Sequence, residues 1–133
     1  MTSKVTYLGD LRTSSTHIQS GTKIISDAPV DNKGKGEAFS PTDLVANALA
    51  SCMITIMGSK AAELGVDMKG TVAEVTKIMN AEPRRIGCVK VDFKLVGTND
   101  AKQQTILERA AMTCPVFLSL HPEIEKDIIF NWK

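Results

Sequence analysis

The stretch from Ser40 to Gly65 limits how this chain can fold more than any other part of it. Ser40 is placed to cap a helix, Pro41 suits the first helical position, and Asp43 stands three residues after Ser40 as in a capping box. Residues 44–64 then carry no breaker except Gly58, and Gly65 is a natural C-terminal stop. About 24 residues rising 1.5 Å each predict a helix about 36 Å long. Residues 44–56 are apolar or small on nearly every face, so other elements are expected to enclose this helix. Its charge-free run, 44–59, is 16 residues long and includes Asn47, Ser51, Thr55 and Gly58. A bilayer span needs roughly 20 predominantly apolar residues, so the segment reads as a buried helix.

Around it the chain alternates between strand and turn patterns. Residues 4–8, 12–18 and 22–26 read as short strands, separated by the turn residues Gly9-Asp10 and Ser20-Gly21, which predicts a meander. Residues 28–39 are a loop by composition, with Asp31-Asn32-Lys33-Gly34-Lys35-Gly36 at their centre. After the helix, residues 71–79 and 86–96 read as strands around a turn at 80–83. In the second of them Val89, Val91, Phe93 and Leu95 alternate with Cys88, Lys90, Asp92 and Lys94. A second helix is expected from near Asp100 to about Leu120, interrupted at Pro115, and residues 127–132 form a last strand. The order βββ-α-ββ-α-β is an α+β fold, expected as a single domain over residues 1–133.

Charge narrows the functional classes. With 16 basic and 15 acidic residues the chain has no electrostatic footprint for nucleic acid or an anionic membrane, so neither is expected as a partner. The first residues show no charged start followed by an apolar stretch and a cleavage site, so no secretory signal is read there. Three cysteines without such a signal point to the cytoplasm, where a cysteine pair is more often catalytic or redox-sensing than structural. His17 and His121 have no ligand spacing to a cysteine or to each other, so no metal site is expected. No Gly-x-Ser-x-Gly elbow and no phosphate-binding glycine loop is present, and no cofactor is expected.

The chemistry then rests on cysteine. Cys52 falls in the middle of the long helix, where a free cysteine commonly behaves as a small buried hydrophobe. Cys114 is followed by Pro115, which cannot sit in a helix interior without losing a hydrogen bond and clashing with the carbonyl of Ala111. Either the helix kinks there, or it breaks and Cys114 sits at the N-terminal edge of a new turn, where free N–H groups favour a thiolate. Cys88 shares a strand face with Lys90 and Lys94 and reads as an incidental, half-exposed cysteine.

Two stretches together resemble the OsmC/Ohr family of thiol peroxidases. One is residues 40–52, with a Ser-Pro opening and a small-residue helix that leads to Cys52; the other is Cys114-Pro115-Val116. The resemblance implies that Cys52 is the peroxidatic thiolate and Cys114 the resolving thiol, that an external dithiol restores both, and that the protein is an intertwined homodimer. It also implies an arginine from the N-terminal meander beside the thiolate, and Arg12 stands at the matching place. In the peroxidases of that family a glutamate after the helix-opening proline clamps this arginine. Here that position is Thr42, and the nearest carboxylates are Asp43 and Glu37. The expected activity is therefore reduction of organic hydroperoxides. The alternative is a dimeric small-molecule-binding protein of the same fold with weak or no peroxidase activity.

Overall fold

The tight turn between the first two strands, β1 (Ser3–Gly9) and β2 (Arg12–His17), is built from two residues, Asp10 and Leu11. Both take positive φ, 53° and 61°, the backbone twist that lets a two-residue turn join antiparallel strands. β2 then pairs antiparallel with β3 (Lys23–Asp27), completing the expected meander in the order β1-β2-β3. A computed structural model describes all residues, 1–133. The chain forms two compact units, residues 1–45 and 46–133.

The loop after β3 closes on its own backbone. Pro29 O accepts from Asn32 N and Gly34 N, Ala28 O accepts from Gly36 N, and Asp27 N donates to Phe39 O. A side chain on Gly34 would collide with the Ala28 carbonyl, its Cβ only 1.7 Å from the oxygen, and Gly36 has φ of +63°. Glycine at these two places is thus what permits the loop to fold back over Ala28. The loop hands the chain to α1 (Pro41–Glu63) through a reciprocal capping box. Asp43 N donates to Ser40 Oγ, and Ser40 N donates to Asp43 Oδ2, each at 3.0 Å.

In residues 46–133, α1 buries Ala46, Leu49, Ala50, Met53, Met57 and Ala61. Within the expected helix, apolar or small on nearly every face, the exposed polar side is narrow. Asn47, Ser51, Thr55 and Ser59 recur every fourth residue and form one exposed polar stripe along α1. By length and composition alone α1 could cross a membrane, with a mean hydropathy of 1.3 over its best window. Its wholly buried Leu49, Met53 and Met57 make it the core helix of this unit instead.

The core's other wall is a three-stranded sheet in the order β4-β5-β6. β4 (Val72–Asn80) lies antiparallel to β5 (Arg85–Leu95), and β6 (Glu125–Trp132) lies parallel to β5 on its other side. A parallel neighbour requires a crossover, and α2 (Ala101–Ala111) with α3 (Pro115–Ser119) supplies it. As the alternation predicts, Val89, Val91, Phe93 and Leu95 are all fully buried. Phe93 stacks on Phe130 across the parallel pair, ring centres 5.4 Å apart.

Cys88, on the opposite face, is not the half-exposed residue anticipated from Lys90 and Lys94. It is buried, and burial pushes its thiol up, with the carboxylates of Glu125 and Asp127 on the neighbouring strand adding to the shift. Burial and the acids of the parallel partner strand set this shift, although Lys90 and Lys94 lie on the same face of β5.

Candidate functional site

Pro115 breaks the second helical segment, as its chemistry requires. α2 ends at Ala111, Cys114 is extended (φ −63°, ψ 139°), and Pro115 opens α3. Of the two readings of the Cys-Pro pair, the structure takes the break rather than the kink. Cys114 caps the new helix with its own sulfur, which accepts a hydrogen bond from Phe117 N at 3.2 Å.

That break brings together two residues 62 positions apart. Cys114, wholly buried, lies close enough to interact electrostatically with Cys52, which is half-buried on α1 and packed against the same core. Both are free thiols. Leu49 and Ile56 flank Cys52 one turn before and one turn after on α1.

The electrostatics of Cys114 differ from the sequence expectation. Burial raises its thiol above the ordinary value, and the neighbouring Cys52 sulfur adds to this, while the Phe117 and Val116 amides pull the other way. The amides do act as the helix-break argument requires, but desolvation outweighs them. Cys114 is therefore held as a neutral thiol.

Arg12 belongs to the N-terminal unit, and its carboxylate partner is one that sequence reasoning missed. Asp27 grips the guanidinium in a fork, Nε to Oδ1 at 2.7 Å and Nη2 to Oδ2 at 2.9 Å. The Asp27 side chain is fully buried, whereas Glu37, 66% exposed, lies 3.6 Å from Nη2. Glu37 contributes more through its backbone, whose N–H donates to Asp27 Oδ2 at 3.1 Å. Asp43, the other carboxylate considered, is engaged by Ser40 N in the capping box.

The signal for Asp27 lay in strand register. Arg12 and Asp27 are directly opposed in the β2–β3 ladder, but β3 runs one residue further than the sequence reading of 22–26. The guanidinium holds the Asp27 carboxyl below the usual carboxylate range, against the opposing effect of burial. Reciprocally, hydrogen bonding to Asp27 raises Arg12 further above its ordinary value. Because Asp27 is depressed, its share of stability is present above the ordinary carboxylate range and is lost only as pH falls through the lowered value.

Both histidines are engaged in local turns. His17 Nδ1 pairs with Ser20 Oγ at 2.6 Å, and His121 Nδ1 accepts from Glu123 N at 3.1 Å.

Comparison with known proteins identifies the family. A family profile described as OsmC-like protein matches residues 34–128, a segment that holds Thr42, Cys52 and Cys114. The chain belongs to the OsmC-like family. The family profile starts after Arg12 and Asp27, so the clamp lies in the part of the chain that it does not cover.

Among OsmC-like structures, a protein from Psychrobacter arcticus 273-4 is 56% identical with a TM-score of 0.95, over 98% of this chain and 96% of that one. It is provisionally assigned as an osmotic stress induced and detoxification response protein. An organic hydroperoxide resistance protein OsmC from Legionella pneumophila shares the fold at 16% identity and a TM-score of 0.71, covering 97% of this chain and 96% of its own. The organic hydroperoxide resistance protein OhrB of Bacillus subtilis does so at 18% identity and 0.62, covering 100% and 98%. A search among curated proteins gave no significant match.

Proposed function

We propose that this chain reduces organic hydroperoxides through Cys52 and Cys114, with an external dithiol completing the cycle. The single observation that supports this most is that the two free thiols, 62 positions apart, lie close enough to interact, with Cys52 raising the Cys114 thiol. The Cys52 thiolate attacks the O–O bond of the hydroperoxide, releasing an alcohol once the leaving oxygen takes a proton, and becomes a sulfenic acid. The Cys114 thiol condenses with that sulfenic acid, forming a disulfide and expelling water. A dithiol then reduces the disulfide by two successive exchanges and is itself oxidised.

Cys114 is suited to the second step, since a buried neutral thiol does not compete for the first peroxide. The apolar residues around Cys52, such as Leu49 and Ile56, favour an alkyl hydroperoxide over hydrogen peroxide. Arg12 is proposed as a further catalytic residue, and the protein as cytoplasmic, where its cysteines stay reduced between turnovers.

One equivalent of cumene hydroperoxide is expected to lower the intact mass by about 2 Da and to yield a Cys52–Cys114 linked peptide. Stepwise gain of oxygen with no such peptide would exclude Cys114 as the resolving thiol.

The protein is also proposed to work as a homodimer. The N-terminal meander leaves Val5, Tyr7, Leu8, Ile24 and Ile25 between 47% and 64% exposed. Exposed apolar residues clustered on one small sheet mark an interaction surface. Sedimentation at micromolar concentration is expected to give the mass of two chains; a single-chain mass would remove this part of the reading.

A second reading, ligand binding without efficient turnover, draws on an open groove of about 390 Å³ beside α2 and β6. It gains support if peroxide oxidises Cys52 no faster than free cysteine.

A further inference from the structure

We infer that the groove between α2 and β6 is a binding site for a small amphipathic carboxylate. The inference rests on the reading of that groove as a ligand site, gives the ligand a chemical class, and requires nothing of Cys52 or Cys114. The site lies wholly within residues 46–133.

The groove exists because β6 is an edge strand. Lys126, Ile128 and Phe130 alternate along β6 and stand opposite Val89, Val91 and Phe93 of β5, so they share the face that builds the core. The three β5 residues are fully buried, whereas their β6 neighbours are only half-buried. α2 turns Leu107 and Ala111 into the core. Thr105, Glu108, Arg109 and Met112 recur three or four residues apart as a second stripe of α2, and they line the groove from the helix side. Its volume is about 390 Å³, within the range of small-molecule sites, about 300–1,000 Å³.

Charge selects the ligand. Two cations line the groove, Arg109 from α2 and Lys126 from β6, against the single carboxylate of Glu108. Glu108 Oε1 already accepts the indole Nε1–H of Trp132 at 2.8 Å, a bond that ties α2 to the end of β6. Lys126 is held in place, since its Nζ donates to His121 O at 3.1 Å and stands 5.5 Å over the Phe117 ring. The Arg109 side chain makes no hydrogen bond or ion pair within the chain, so its donor fork is open to a ligand. A free guanidinium beside an anchored ammonium matches one planar carboxylate. Ile128 and Phe130, with Met112 39% exposed, match an aliphatic body rather than a bare ion.

Trp132 makes the site observable, because it is the only tryptophan of the chain and bonds a groove residue. Octanoate added to the full chain is expected to shift the single indole N–H signal in proton–nitrogen correlation spectra, and to do so saturably. Shorter carboxylates should bind more weakly, by up to about 4-fold per methylene removed. Arg109→Gln should weaken octanoate by about 10-fold or more, the loss expected of a charge-assisted pair. Lys102→Gln removes a cation of α2 outside the groove and should leave the affinity as it is. Arg109 and Lys102 are both exposed, and an otherwise unchanged spectrum verifies that each variant is folded.

Octanol or inorganic phosphate binding as tightly as octanoate, or octanoate binding untouched by Arg109→Gln, overturns the inference. Where octanol still shifts the indole signal saturably, the groove remains a ligand site and only the carboxylate class fails. If neither octanoate nor octanol moves that signal, the reading of the groove as a ligand site fails as well, so the two failures are distinguishable.

Discussion

Replacing Cys52 by serine is expected to abolish dithiol-dependent consumption of cumene hydroperoxide, a loss on the order of 10³-fold or more. A serine hydroxyl remains protonated at neutral pH and has no sulfenic acid state, so neither attack on the O–O bond nor condensation with Cys114 is available to it. The measurement is the rate of peroxide loss with dithiothreitol present, for parent and variant at equal concentration. Cys52→Ser turning over at the parent's rate would sink the assignment.

Cys114→Ser is expected to behave differently. It still reacts once, because Cys52 keeps its thiol, but the product has no buried partner to meet. Mass spectrometry should then show one and later two added oxygens on the Cys52 peptide. This contrast separates the two cysteines by role, which simple loss of activity cannot do. It follows from the asymmetry in the structure: Cys52 is half-buried, whereas Cys114 is wholly buried.

The largest stability effect is expected at Phe93. Its side chain is fully buried in the middle of β5 and stacks on Phe130 at 5.4 Å with the ring planes 8° apart. Phe93→Ala removes that stacking and opens a cavity in the core beneath α1 and α2. The expected loss is about 3–5 kcal/mol, against a total of roughly 5–15 kcal/mol for a typical domain.

Val72→Ala, at a residue 52% exposed on the edge strand β4, should change stability by less than about 0.5 kcal/mol. Urea unfolding of both variants and the parent at one protein concentration checks this, since association couples stability to concentration. A Phe93→Ala loss below about 1 kcal/mol would mean that the core can collapse around the missing ring.

The elements legible in the sequence are those whose causes are local. The capping box at Ser40 and Asp43, the glycine stop at Gly65 and the break at Pro115 all depend on residues within a few positions of each other. Each falls where the sequence places it. The alternation that buries Val89, Val91, Phe93 and Leu95 is likewise a matter of strand period.

Composition hides direction in the long helix. Asn47, Ser51, Thr55 and Ser59 are too few to make the segment look polar. Their four-residue spacing nevertheless puts them all on one exposed stripe.

The Cys52–Cys114 pair illustrates where sequence and tertiary structure divide the work. The sequence by itself determined that the chain has a long core helix with a cysteine in its middle and a second cysteine at a proline-enforced break. Its resemblance to the OsmC/Ohr family assigned the two cysteines to one site. Only the tertiary structure placed the sulfurs together, because contact across 62 positions depends on how α1 and the α2–α3 break pack on one core. Only the structure, too, decided that Cys114 is held protonated, since the balance between desolvation and the helix-end amides is set by burial that no local pattern encodes. Asp27 belongs with these. Nothing in its neighbours marks it, and it meets Arg12 because strand register sets two residues 15 positions apart face to face.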